Sequence, residues 1–258
     1  MTILDTILEQ KHKEVAMLPN FMERDLNLNQ NSFVEVLSRP TKNKIHIIAE
    51  VKQQSPSGGV IRSVDPSQRA QLYERSGATA LSCLTDKEFF GGSCEDLHAV
   101  SEAVSIPVIR KDFIFTKNQI AQARCFGAAS FLLMMDVIEK TGANLSELIE
   151  YGRDLGMEPL VEIQNEVSLM TAVQAGAKII GVNSRNFEKE GLPIEFERFE
   201  RLLPLIPNGI IRVAESGICT PADIEKVSAL ADAVLIGTAL MKQEDQDVPE
   251  FLSSLTTQ

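Results

Sequence analysis

The stretch Lys44-Ile45-His46-Ile47-Ile48-Ala49-Glu50-Val51-Lys52, running on into Ser55-Pro56-Ser57-Gly58-Gly59, decides how the chain is read. It is a short β-rich apolar run that ends in charge and opens into a turn-rich loop. Seven more such runs follow: Ala78–Leu84, Ile106–Arg110, Ser130–Met135, Pro159–Ile163, Lys178–Val182, Ile210–Ala214 and Ala233–Ile236. Amphipathic helical stretches separate them, which predicts repeated βα units and a parallel sheet. An open doubly wound sheet usually places G-x-G-x-x-G at its first βα turn, where this chain has Ser55-Pro56-Ser57-Gly58-Gly59. With Glu50, Thr85, Lys111, Met135, Glu162, Asn183, Glu215 and Gly237 as strand ends, successive ends lie 21 to 35 residues apart. A roughly constant step favours closure into an α/β (β/α)8 TIM barrel.

The helices carry their own punctuation. Asp65-Pro66 and Thr220-Pro221 each place a capping side chain before a proline suited to the first turn. Ser93 with Asp96 resembles a capping box, and Gly77, Gly127, Gly156 and Gly176 fall where helices should stop. Upstream, residues 2–17 predict an extra helix, with Ile3, Leu4, Ile7, Leu8 and Val15 near a 3.6-residue period and Thr2 with Asp5 as cap. A short helix around Phe33–Leu37 follows. The expectation is one barrel domain over residues 1–258, with 1–43 as an N-terminal helical extension covering one barrel end.

Bulk properties exclude several functions. The chain has 258 residues, 44% of them hydrophobic, enough for one substantial core. Its net charge of -11 argues against nucleic acid and anionic membranes, which both select basic surfaces. Asp5, Glu9 and Glu14 interrupt the first twenty residues, and the apolar run from Ala128 to Met135 is too short to span a bilayer. A cytoplasmic location is the expectation. Cys83, Cys94, Cys125 and Cys219 form no C-x-x-C pair, and His12, His46 and His98 show no partner spacing. They are read as structural, with no metal site.

In a barrel the C-terminal strand ends form the active-site face, so polar residues closing apolar runs are the first candidates for chemistry. Strand alternation puts Ile48, Glu50 and Lys52 on one face, and likewise Ile109 with Lys111, Leu160 with Glu162, and Val213 with Glu215. Any one such charge more often just reaches solvent. Five on matching phases predict two lysines and three glutamates converging at the barrel mouth, where burial is costly unless they pair with each other or with substrate. Asn183, Arg185 and Ser216 follow the same logic. Glu215-Ser216-Gly217-Ile218 and Ile236-Gly237-Thr238-Ala239-Leu240, after strands seven and eight, suit a phosphate, because glycine lets backbone N–H groups approach an anion.

Read together, these segments resemble indole-3-glycerol phosphate synthases over nearly the whole chain. The most specific piece is Ile48-Ala49-Glu50-Val51-Lys52-Gln53-Gln54-Ser55-Pro56-Ser57. Others are Phe89-Phe90-Gly91-Gly92-Ser93, Arg110-Lys111-Asp112-Phe113-Ile114, Gly181-Val182-Asn183-Ser184-Arg185-Asn186 and Val213-Ala214-Glu215-Ser216-Gly217-Ile218. The resemblance implies conversion of 1-(2-carboxyphenylamino)-1-deoxyribulose 5-phosphate to indole-3-glycerol phosphate, with loss of carbon dioxide and water and without cofactor or metal. It implies Lys111 as general acid for ring closure, Glu162 as acid/base for dehydration and Lys52 on the substrate carboxylate. Glu50 and Asn183 would orient and polarise, and Glu215 and Ser216 match substrate-site positions. Ser55, Arg185, Gly217, Gly237 and Thr238 match the phosphate environment; Phe90 and Leu132 match positions packing on the aromatic ring.

Gln53-Gln54, Phe187 and Met134-Met135-Asp136 depart from the commonest family pattern. A Schiff-base aldolase acting on a sugar phosphate is the alternative, since a lysine ending a strand beside glutamates could attack a carbonyl if its pKa were lowered. A phosphosugar-binding barrel without catalysis is a third reading, against which the Lys and Glu cluster argues.

Overall fold

The computed structural model describes residues 2–21, 32–41, 45–56, 58–187, 189 and 191–256. Eight parallel strands close into a barrel: β1 (His46–Val51), β2 (Ala80–Leu84), β3 (Val108–Lys111), β4 (Ser130–Met134), β5 (Leu160–Ile163), β6 (Ile179–Asn183), β7 (Ile211–Glu215) and β8 (Ala233–Ile236). Each pairs with its neighbours in sequence, and β8 pairs with β1. All eight expected strands are present. Their starts come up to two residues later than expected. Pro107, which has no N–H to give, precedes β3, and Lys44 lies outside the described residues. Met135, expected in strand four, instead opens a helix.

The helices are α1 (Ile3–Ala16), α2 (Phe33–Ser38), α3 (Pro66–Arg75), α4 (Lys87–Phe90), α5 (Cys94–Ala103), α6 (Lys117–Cys125) and α7 (Met135–Thr141). After these come α8 (Leu145–Asp154), α9 (Glu166–Gln174), α10 (Glu197–Leu202), α11 (Pro221–Val227), α12 (Thr238–Met241) and α13 (Val248–Thr256). Thr2, Thr116, Asn165 and Thr220 each form a reciprocal capping box, which supplies partners for first-turn N–H groups. Ser93 caps one way only, accepting from the Asp96 N–H. Gln54–Ser55 and Gly59–Val60 form a two-stranded antiparallel ribbon in the loop after β1.

Strand alternation divides the core. Outward residues such as Ile47, Leu81, Phe131, Val161 and Val234 pack under the helices, whereas Ile48, Ile109, Leu132, Leu160, Ile179 and Val213 fill the barrel interior. The two N-terminal helices cover opposite ends, which corrects the expectation of a common cover. Phe33 and Leu37 of α2 join the interior cluster beside Ile211 and Ala233, the first residues of β7 and β8. The Arg39 carbonyl lies 2.9 Å from His46 Nε2 at the start of β1. Helix α1 lies instead beyond the strand ends. Its Lys11 reaches Asp86 and Asp112, its Asp5 pairs with Lys140 of α7, and His12 packs against Phe115 in a tilted contact with ring centroids 4.8 Å apart. Leu4, Ile7 and Leu8 are buried in the cluster that holds Phe113, Phe115 and Val137, and the charge pairs add partners that a hydrophobic period alone does not name.

Candidate active site

Register brings the polar strand ends to one level. Glu50 is opposite Ser82, Met134 opposite Glu162, Glu162 opposite Gly181, and Asn183 opposite Glu215. They surround a cavity of about 430 Å3 at the C-terminal end of the barrel. Glu50, Lys52, Lys111, Glu162, Asn183 and Ser216 line it, as do Ser55, Phe90, Leu132, Arg185, Gly217, Gly237 and Thr238. Glu215, alone among the residues read from sequence, does not line it. It is fully buried below the floor and reaches the cavity through Lys111.

Two lysine–glutamate pairs organise the floor. Lys52 Nζ lies 2.7 Å from Glu50 Oε1, and Ser82 Oγ donates to Glu50 Oε2 at 3.4 Å. Lys111 Nζ donates to Glu215 Oε2 at 2.7 Å and stands 3.7 Å from Glu162 Oε2. Burial works against the Lys111 ammonium, yet Glu215 first, with Glu162 and Glu50 behind it, outweighs burial and holds the group above the usual lysine range. Burial likewise opposes the Glu50 carboxylate, but Lys52 and Lys111 keep it below its ordinary value.

Glu162 goes the other way. Burial first, and Glu215 next, push its carboxyl up to about 8, with Lys111 opposing. The Asn183 side chain also opposes the rise, and Lys111 Nζ stands 3.7 Å from Oε2, but neither oxygen makes a hydrogen bond of good geometry among the described residues. The opposite directions divide the two roles: Glu162 is the carboxyl whose environment favours holding a proton, and Glu50 the one whose environment favours ionisation. The site therefore presents two groups suited to proton donation, an ammonium and a carboxyl of raised pKa, side by side.

The upper rim is built by loops. Asn183 Oδ1 accepts from the Arg185 N–H at 2.9 Å, and the Arg185 guanidinium donates to the Leu192 carbonyl at 3.0 Å. Ser184 Oγ donates to the Ser216 carbonyl at 2.9 Å. Ser216 and Gly217 both have positive φ, 68° and 74°, which turns the chain over the end of β7. Arg62, beyond the ribbon that carries Ser55, donates to the Gln243 carbonyl, and so does Arg69 of α3. These bonds tie the loop after β1 to the segment after α12.

Sequence reading found Phe90 and Leu132 of the apolar walls and marked Phe187 and Met134 only as departures from the family pattern; the rest it missed. Leu84, Met134 and Leu235 line the cavity on the same inward phase as the polar ends, so strand parity could have found them. Phe187, Leu192 and Ile194 come from the loop after β6, where Arg185 bridges to Ile194. No periodicity marks that bridge. Among the described residues no group of three or more His, Cys, Asp and Glu side chains could hold a metal ion, and no helix is long and apolar enough to cross a membrane.

A closed eight-stranded parallel barrel with a lysine–glutamate cluster at the C-terminal strand ends defines a TIM-barrel enzyme of the acid/base kind. Solved structures agree on the fold. Tryptophan synthase from M. tuberculosis superposes with a TM-score of 0.61 at 13% identity, over 88% of this chain and 98% of that one. The N-acetylmannosamine-6-phosphate 2-epimerase from Clostridium perfringens gives 0.60 at 16% identity, over 83% and 92%. Residues 4–251 match the family model of indole-3-glycerol phosphate synthase, and the chain belongs to that family. The indole-3-glycerol phosphate synthase of Sulfurimonas denitrificans is 41% identical over 95% of this chain and 95% of its own length. That of Parafrankia sp. (strain EAN1pec) is 38% identical over 98% and 91%.

Proposed function

We propose that this chain, working as one barrel unit in the cytoplasm, converts 1-(2-carboxyphenylamino)-1-deoxyribulose 5-phosphate to indole-3-glycerol phosphate in tryptophan biosynthesis. The observation that carries the reading is Lys111, shared between Glu215 and Glu162 at the floor of a cavity with otherwise largely apolar walls. In ring closure the aryl carbon bearing the carboxylate attacks the ketone carbon. Lys111 gives a proton to the ketone oxygen as the C–C bond forms, which turns it into a hydroxyl. Loss of carbon dioxide leaves the bonding electrons in the ring and restores aromaticity. Glu162 then protonates that hydroxyl so that it departs as water, and proton loss from the adjacent carbon completes the indole.

Several features support the assignment of the remaining residues. Lys52 and the ionised Glu50 flank the cavity, where an ammonium suits the aryl carboxylate. Phe90 and Leu132 offer apolar surface for the ring. Ser55, Arg185, Ser216, Gly217, Gly237 and Thr238 rim the end suited to phosphate.

The test is direct: purified chain plus substrate should release one carbon dioxide per indole product, and the gene should restore growth to a tryptophan-requiring strain lacking only this step. Failure of both with soluble protein would overturn the reading.

A further inference from the structure

Gly181 occupies the middle of β6 on the inward-facing phase, between Glu162 on β5 and Val213 on β7 in register. Its φ is not positive, so the backbone there makes no demand for glycine. A strand glycine weakens its strand because it has no side chain to pack. What excludes a side chain is chiefly one neighbour: a Cβ at this position would collide with Oε1 of Glu215 and stand 3.1 Å from its Cδ, while Leu160 Cδ1 at 3.2 Å is the tip of a side chain that needs to give by only a few tenths of an ångström. The Glu215 carboxylate starts one level higher, on β7, and folds back into the space above the Gly181 Cα. Oε2 meets Lys111 at 2.7 Å, while Oε1 is buried with no hydrogen-bond partner among the described residues.

We propose that Gly181 is a positioning residue of the site: the missing side chain makes the berth for the Glu215 carboxylate, and that berth holds the Lys111 ammonium between Glu215 and Glu162. The second pair repeats the device. A Cβ at Gly237 would collide with Oε1 of Glu50 and stand 3.0 Å from Lys52 Nζ. Each lysine that faces the cavity is thus held by a glutamate lying over a glycine. Glu215 does not line the cavity, so the effect reaches substrate through two groups that do, Lys111 by direct contact and Glu162 by charge. This inference rests on the reading of Lys111 as the acid.

The test is a double-mutant cycle between Gly181→Ala and Glu215→Ala, measured on the full chain with the anilino-deoxyribulose phosphate. Gly181→Ala should lower kcat about 100-fold, the cost of displacing a catalytic group by about an ångström, with KM changed less than about threefold. In the Glu215→Ala background the same substitution should change kcat by no more than about twofold, since no carboxylate remains to displace. Equal losses in both backgrounds, or parent kcat in Gly181→Ala, would overturn the proposal. Urea unfolding supplies a readout independent of turnover: Gly181→Ala should destabilise the parent more than it destabilises Glu215→Ala. If Gly181→Ala fails to fold, the double variant should still fold, and an equally insoluble double variant overturns the berth. An inactive parent would instead count against the proposed function, and the unfolding cycle would still decide on Gly181.

Discussion

Replacing Glu162 with glutamine removes one ionisable proton and almost nothing of the shape, so it isolates what that proton does. The carboxyl is moved from its ordinary 4.5 up to about 8, by burial first and by Glu215 next. At 1.36 kcal/mol per pH unit this corresponds to about 5 kcal/mol. The sign follows from which state holds the proton more tightly. The folded chain does, so the stability it confers is fully present below pH 4.5 and is lost as pH rises to about 8 and beyond. Glutamine never ionises and loses nothing over that window. The gap in unfolding free energy between Glu162→Gln and the parent should therefore move in the variant's favour by several kcal/mol, at most about 5, between pH 5 and pH 9. Urea titrations followed by circular dichroism at both pH values measure it, and taking the difference cancels groups common to the two chains. Activity should respond in parallel. The parent should lose kcat above about pH 8, and Glu162→Gln should be slower by about 10² to 10⁴ at pH 7 while binding substrate nearly as well. A stability gap constant within about 1 kcal/mol across that range would mean that Glu162 is ionised throughout, and the acid role would fall.

Lys11→Met leaves Asp86 and Asp112 buried without the ammonium that lies 2.8 and 3.0 Å from them, and should cost about 3–5 kcal/mol in urea unfolding at pH 7. A loss under 1 kcal/mol would show that α1 is not anchored this way. Lys111→Met should fold normally and lose most ring-closing activity. Borohydride should trap no adduct in the parent during turnover, and a substrate-dependent label on Lys111 would favour the aldolase chemistry instead. Ser216, at a φ of 68°, should accept glycine with a stability change below about 0.5 kcal/mol but lose about 1–3 kcal/mol on replacement by β-branched valine. Equal stability of the two variants would mean that the left-handed turn after β7 does not persist in solution.

The sequence by itself determined the order of strands and helices, because each βα unit carries a local apolar run within its own 21 to 35 residues, and several add a cap or a glycine stop. It also determined which strand-end residues face inward, since a period of two needs no partner strand to be read, and Glu50, Lys111, Glu162 and Asn183 all line the cavity as that parity requires. Only the tertiary structure decided distances and environments. Glu162 and Glu50 look alike in sequence, yet one takes a raised pKa from burial and Glu215, while the other is held ionised by Lys52 and Lys111. Glu215 reads as a cavity residue, yet lies beneath the floor in a space that exists because Gly181, in the neighbouring strand, has no side chain. Helix α1 reads as an amphipathic cover, yet which barrel end it covers follows from partners distant in sequence: Leu4, Ile7 and Leu8 pack with Phe113, Phe115 and Val137, and buried Lys11 meets Asp86 and Asp112, 75 and 101 residues further along the chain. Local pattern is a property of neighbours in the chain, whereas burial, charge pairing and steric room belong to groups that only the closed barrel brings together.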